Sequence, residues 1–323
     1  MAIRLSIIIP IDNAPLSELT MPLASLNSQL GIDGQTVEVL LVDNGEFHLE
    51  DTAALHLFTQ LHLRVLATPK TCGHMGALAF GLTVAKGQYV MLLNANNQLY
   101  QPFTLQQLLG LLTQHPDTDL LGGTTLWQGQ TSSRQPVYRA GQSLTSLAGW
   151  LIRRAALSSN AVTLSDDFGE FSEELATRLL RASVGGTVTT EATVCVVFAS
   201  RTHPVSGTQP VINEQWVSMM AAYLATLKAQ NPAQLDHAFA QFIVRFYSQI
   251  LRVPADSRAP LTTQVAGIVQ AHAGSWPAVT ALVDREKVAD SSPAAPWNEN
   301  PGEFNHYLNQ LANIAAKEIA MRR

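Results

Sequence analysis

Three stretches of this 323-residue sequence set side-chain oxygens directly after a short apolar run. Leu5 to Pro10 leads into Ile11-Asp12-Asn13, Val37 to Val42 into Asp43-Asn44-Gly45, and Tyr89 to Leu93 into Asn94-Ala95-Asn96-Asn97. Carboxylates and amides in such places accept hydrogen bonds from N–H donors or lend oxygen to a cation. Farther on, Asp166, Asp167, Glu170, Glu173 and Glu174 crowd into one short segment, where a carboxylate can take a proton from a hydroxyl. Each group also has a purely structural reading. A strand-ending Asp43 caps the turn after it, and Glu173 and Glu174 suit the first turn of a helix, whose dipole stabilises them.

Other chemistries find no support in the residue spacing. There is no Gly-x-Ser-x-Gly, no Gly-x-x-x-x-Gly-Lys-Ser/Thr and no Gly-x-Gly-x-x-Gly after the first run, and the histidines show no His-x-x-x-His spacing. His74 and His203 stand near the polar segments but read as loop or surface residues. Cys72 and Cys195 form no Cys-x-x-Cys and no zinc-ligand pattern, so a reduced, cytoplasmic protein is expected. A net charge of −5 with no run of Lys and Arg excludes an electrostatic footprint for nucleic acid. The first residues lack the apolar length of a secretory leader, and no run reaches that of a membrane span, so peripheral docking is the membrane contact left open.

Rigid elements must hold those oxygens in place. The apolar runs at Leu5 to Pro10, Val37 to Val42, Leu63 to Leu66, Tyr89 to Leu93 and Leu120 to Leu126 read as buried strands. Between them, Leu16 to Leu30, Gly73 to Ala85 and Phe103 to Leu112 carry helical periodicity, with Pro102 near the first position of the last. Alternation of this kind predicts an α/β fold with a mostly parallel sheet flanked by helices on both faces. Ligands of such sheets bind beyond the carboxyl ends of the strands, where the polar segments fall. From about Val205 the signals turn helical. A helix after Asn231-Pro232 bears an apolar stripe of Leu235, Phe239, Phe242, Ile243, Phe246, Tyr247 and Ile250, which packs on its own domain or forms a homo-oligomer contact. Asp290 to Pro301 is a proline-rich connector before a last amphipathic helix, Phe304 to Met321.

The succession SIIIPIDNA, LLVDNGE, GALAFG with AKGQYV, and LLNANN resembles the family 2 inverting glycosyltransferases of the GT-A fold. In that family the first strand ends in Pro-x-Tyr-Asn and the second in Val-Asp-Asp-Gly-Ser. A glycine-rich helix carries Ala-Arg-Asn-x-Gly and closes on Ala-x-Gly-x-Tyr, and the next strand ends in Asp-x-Asp. The resemblance spans roughly residues 3 to 205, since LIRRAAL, FGEFSEELATRLLRA and ATVCVVF look like the acceptor-side segment. It implies a GT-A (nucleotide-diphospho-sugar transferase-like) domain over residues 1–205 and a helical region over 206–323. It also implies a nucleotide sugar near Pro10, Asp12, Asp43, Gly73, Asn94 and Asn96, with Asp43 on the base, and an acceptor near residues 120 to 180. Trp150 with Arg153 and Arg154 is expected there, stacking on a sugar beside a phosphate, or else in the core.

The departures from the pattern bear on chemistry. Asn94 and Asn96 replace the Asp-x-Asp, Leu78 and Ala79 replace the Arg-Asn pair, and Asp12 replaces the tyrosine. Neutral amides cannot neutralise a divalent cation beside a diphosphate, so Mn²⁺ or Mg²⁺ is disfavoured. The family's Glu-Asp falls on Phe171-Ser172; shifting the register offers Glu173 or Glu170 as the base. Cations to replace the lost ones would come from Arg134, Arg139, Arg153 or Arg154. Two outcomes stay open: a glycosyltransferase extending a polysaccharide, cell-wall polymer or glycoprotein, or a pseudoenzyme of this fold acting as partner or scaffold.

Overall fold

The computed structural model describes residues 3–11, 15–44, 52–130, 135–141, 146–158, 162, 164–198, 212–289 and 295–322. Asp12, Asn13, Gly45, Arg134 and His203 lie outside the described residues. The chain divides into two units, Met1–Gln209 and Pro210–Arg323.

In the first unit, β1 (Leu5–Ile11) and β2 (Val37–Asp43) are buried along their whole length, as continuous apolar runs require of strands covered on both faces. They pair in parallel from Leu5↔Val37 to Ile11↔Asp43. Strand β3 (His62–Ala67) pairs in parallel with β2, and β4 (Tyr89–Leu92) with β1. Connecting helix α1 (Leu16–Asn27) lays Leu19, Leu23 and Leu26 on the face that carries Ile7, Ile9 and Ile11. On the other face lies α2 (His74–Val84): a Cβ at Gly81 would stand 2.6 Å from Ile8 Cγ2 and 3.2 Å from Val42 Cγ2. Helices therefore cover both faces, as the alternation predicts.

The other half of the sheet is mixed rather than parallel. It contains β5 (Asn97–Leu99), β6 (Leu120–Gln130), β7 (Pro136–Gly141), β8 (Leu151–Arg153) and β9 (Thr187–Val197), with α3 (Thr104–Gln114), α4 (Arg154–Ser158) and α5 (Ser172–Ser183) between them. The order is β3-β2-β1-β4-β8-β6-β9-β5, with β7 hanging from β6. Strand β8 runs antiparallel to both β4 and β6, while β6 and β9 pair in parallel, so β1, β2, β3, β4, β6 and β9 share one direction and the sheet is mostly parallel with antiparallel insertions. No crossover is needed to reverse direction, and among the described residues no helix lies between β7 and the short β8. Pro102 sits two residues ahead of α3 rather than inside its first turn.

The second unit is made of α6 (Glu214–Gln230), α7 (Pro232–Ile250), α8 (Ala255–Ala271), α9 (Trp276–Ala289), α10 (Pro296–Glu299) and α11 (Pro301–Met321). Pro232 opens α7 at the position where its missing N–H is harmless. The aromatic stripe of α7 is closed within the unit. Phe242 meets Trp216, Phe239 meets Trp276, Tyr247 meets Phe304, and the Tyr307 hydroxyl donates to the Ile243 carbonyl at 2.9 Å. Phe239, Phe242, Ile243 and Phe246 are at most 1% exposed, so these side chains of the stripe pack within their own unit. Among the described residues no helix is long and apolar enough to cross a membrane.

Candidate active site

The parallel register lines up Ile11, Asp43 and Ala67 in one row at the carboxyl edge of the sheet. Asp43 is buried there, and its carbonyl accepts from Thr68 N at 2.9 Å. Asn44 is also buried; its carbonyl accepts from Cys72 N at 3.0 Å, tying the end of β2 to the approach of α2. Pro10 lies in β1 opposite Val42, past the end of the β1–β4 pairing at Ile8↔Leu92, so its lack of an N–H breaks no ladder.

Helix α2 starts at a glycine with no side-chain cap of its own. Its first N–H groups have no partner inside the helix and carry partial positive charge. The Asp166 carboxylate supplies the cap, accepting from Met75 N at 2.9 Å and Gly76 N at 3.1 Å. A Cβ at Gly73 would lie 2.4–2.7 Å from that carboxyl group, so Gly73 makes room for an acid from the segment before α5. Sequence reasoning placed Gly73 at the nucleotide and gave Asp166 no part in this. An N-cap position held by Gly73, which has no side chain to cap the helix, was the available signal that its cap comes from elsewhere.

Beyond β4, Asn94 to Asn97 form a tight turn. Asn97 N donates to the Asn94 carbonyl at 3.0 Å, and Asn97 Oδ1 accepts from Asn94 N at 2.8 Å. Asn96 faces the end of β9: its Nδ2 donates to the Phe198 carbonyl at 2.9 Å, and its own carbonyl accepts from Phe198 N at 2.9 Å. Buried Asn97 also directs Nδ2 at Cys195 Sγ, whose thiol burial pushes up to about 12, an inert sulfur. A divalent metal does not fit this donor set. The side-chain oxygens of Asn94 and Asn96 carry no charge, that of Asn97 is taken by the turn, and no cluster of three acids, histidines or cysteines that could hold a metal occurs among the described residues.

Ala148 bridges Leu92 and Gly149 N donates to the Leu92 carbonyl at 3.0 Å, which sets Ser146 and Leu147 beside the carboxyl end of β4. Glu173 reaches the same place from the first turn of α5. Its Oε1 accepts from Ser146 Oγ at 2.5 Å and from Leu147 N at 3.2 Å. Glu170 is exposed on the turn Gly169–Phe171. Phe171 is in the core, and Ser172 Oγ accepts from Phe168 N at 3.1 Å, so the two positions that match the family's Glu-Asp serve the local fold. Glu174 is buried against Arg178 at 2.7 Å.

The sequence model described as glycosyl transferase family 2 matches residues 6–175, more than half of the chain. The chain belongs to glycosyl transferase family 2. Its structure is similar to that of S. aureus TarS 1–349 in complex with UDP-GlcNAc, at a TM-score of 0.67 and 17% identity over 99% of this chain and 92% of that one. The UDP complex of TarS 1–349 gives 0.66 and 16% over the same shares. Against the longer S. aureus TarS structure the TM-score is 0.61 at 16% identity, over 96% of this chain and 55% of that chain. At these identities the likeness is one of fold, the GT-A arrangement of a central sheet between helices with a helical C-terminal region. No curated protein matches the sequence.

Measured against this family 2 frame, three expected acceptor-side residues fall elsewhere. Trp150 has no exposed surface: the Arg181 guanidinium lies 4.4 Å from its ring centroid, and a Cβ at Gly122 would come within 2.1–2.4 Å of the indole. With both faces covered it is a core residue, not a sugar platform. Arg153 pairs with Tyr89, the first residue of β4, and so lies at the amino edge of the sheet. There it binds Asp119 at 2.8 Å and the carbonyls of Pro116 and Thr118 at 2.6 and 2.9 Å. Arg154 binds the Gly87 carbonyl at the same edge. The antiparallel course of β8 carries both arginines away from the carboxyl ends, and Arg139 lies exposed on β7.

Proposed function

We propose that this family 2 chain transfers a sugar from a nucleotide donor to the hydroxyl of a polysaccharide, cell-wall polymer or glycoprotein. The observation that carries this reading is the buried Asp43 carboxylate at the carboxyl end of β2, in register with the end of β1. A buried carboxylate there suits the N–H donor of a nucleobase, and such a charge-assisted bond is about twice as strong as a neutral one. UDP is the donor nucleotide favoured by the fold-likeness to TarS, whose structures hold UDP and UDP-GlcNAc. Glu173 is the base by position, with Glu170 on the preceding turn as the alternative. The acceptor oxygen attacks the anomeric carbon and its proton passes to Glu173. The bond to the diphosphate breaks, and the departing UDP takes the electron pair.

Titrating the full chain with UDP-, GDP-, CDP- and dTDP-sugars by calorimetry tests the reading. Saturable binding of one nucleotide, weakened about 10-fold or more by Asp43→Asn, supports it. Silence across the panel from folded protein overturns it and leaves the scaffold role.

A further inference from the structure

We infer that this chain holds the diphosphate of its donor without a divalent cation, the Asn94–Asn97 turn serving instead as a latch to the end of β9. The inference rests on the donor-binding reading above. The turn occupies the position at which the family carries Asp-x-Asp, and its amides are built into the fold. Asn96 Nδ2 must be a donor, because its partner, the Phe198 carbonyl, can only accept. A carboxylate in the same place would set two acceptors 2.9 Å apart with no proton between them. Asn97 Oδ1 is spent on Asn94 N, and its Nδ2 points at a buried sulfur. The latch is reciprocal: backbone and side chain of Asn96 each bond Phe198, so turn and strand end are held together at two points.

Neutrality matters as much as geometry. Affinity of oxygen sites for Mg²⁺ and Mn²⁺ follows the count of charged ligands, and the oxygens left over, Asn94 Oδ1 and Asn96 Oδ1, contribute none. Metal recruited by the nucleotide itself would gain little from the protein, so donor affinity is indifferent to it.

The test is calorimetric titration of UDP-GlcNAc into the full chain, once in EDTA and once in Mn²⁺. Dissociation constants that agree within about 2-fold support the inference. Binding that requires Mn²⁺, or tightens about 10-fold or more with it, overturns the inference while donor binding stands. No binding under either condition overturns both. The latch has its own readout in thermal melting. Asn96→Asp loses the donated bond and melts below the parent, whereas Asn94→Asp, whose contribution to the turn comes from its backbone, melts close to it. Equal melting of the two variants overturns the latch.

Discussion

The two edges of the parallel half-sheet use charge in opposite ways. At the amino edge, charged groups are bound into networks. The fully buried Glu38 accepts from Ser6 Oγ at 2.6 Å and Lys86 N at 2.7 Å and pairs with Arg64 at 3.1 Å, while Arg153 clamps Asp119 and stacks over Tyr89. At the carboxyl edge the polar groups are mainly amides and single carboxylates: Asp43, Asn44, Asn94 to Asn97 and Glu173. The amino edge fixes the strands, while the carboxyl edge, where Glu173 holds Ser146 and Leu147 and Asp166 caps α2, is the edge on which the proposed donor site falls. Arg153 and Arg154 thus serve stability, because the antiparallel β8 delivers them to the structural edge.

The contrast is broken most sharply at Glu173. As general base its replacement in Glu173→Gln lowers kcat by about 10²–10⁴-fold with little change in donor KM. The variant keeps an acceptor oxygen for Ser146 and Leu147, so the fold survives. A loss under about 10-fold in donor-turnover assays would make Glu173 a clamp like Glu38 and pass the base role to Glu170.

Next in size is the opposite edge. Glu38→Ala strands Ser6 Oγ, the Lys86 N–H and the Arg64 guanidinium, and urea denaturation should show a loss of about 3 kcal/mol. Arg64 is part-exposed and can turn to water, which keeps the cost from rising further. Nucleotide affinity of the surviving folded protein should be unchanged; a drop in affinity would mean that the edges are coupled. Asp166→Asn probes an acid at the carboxyl edge that has been given a structural task. It weakens the cap on α2 by about 1 kcal/mol, read in thermal melting. No change in melting would return Asp166 to the pool of candidate bases.

How far these edges could be read from sequence depends on the kind of signal. β1, β2 and β4 were legible because burial on both faces demands unbroken apolar runs, and their ends located Asp43 and the asparagines. β5, β7 and β8 were not: β5 and β7 lie at the margins of the sheet and need no apolar run, and the central β8, at three residues, is too short to show one. The error at Trp150 and Arg153 follows from that gap. Sequence shows them three residues apart but not that β8 runs backwards, with one in the core and the other at the far edge. Asp166 was missed for a related reason, because it meets α2 across 91 positions and only the missing local cap pointed to it.

The smallest effect distinguishes the edges by pH. Burial alone would raise the Glu38 carboxyl, but hydrogen bonds from Ser6 and Lys86 N–H, with the bond and charge of Arg64, outweigh it and hold the group below the usual carboxylate range. In the unfolded chain Glu38 binds its proton more readily, so between the two values the unfolded state carries more protons and stability rises with pH. The contribution is complete above the ordinary glutamate value of ~4.3 and is lost as pH falls through the lower folded value. Glu38→Gln removes this titration, so the stability difference between parent and variant narrows as the solution is acidified from neutrality toward pH ~3. A difference that stays constant over that range would show that the bonds to Glu38 do not depend on its charge. The amino edge would then be a hydrogen-bonded frame like the asparagine turn.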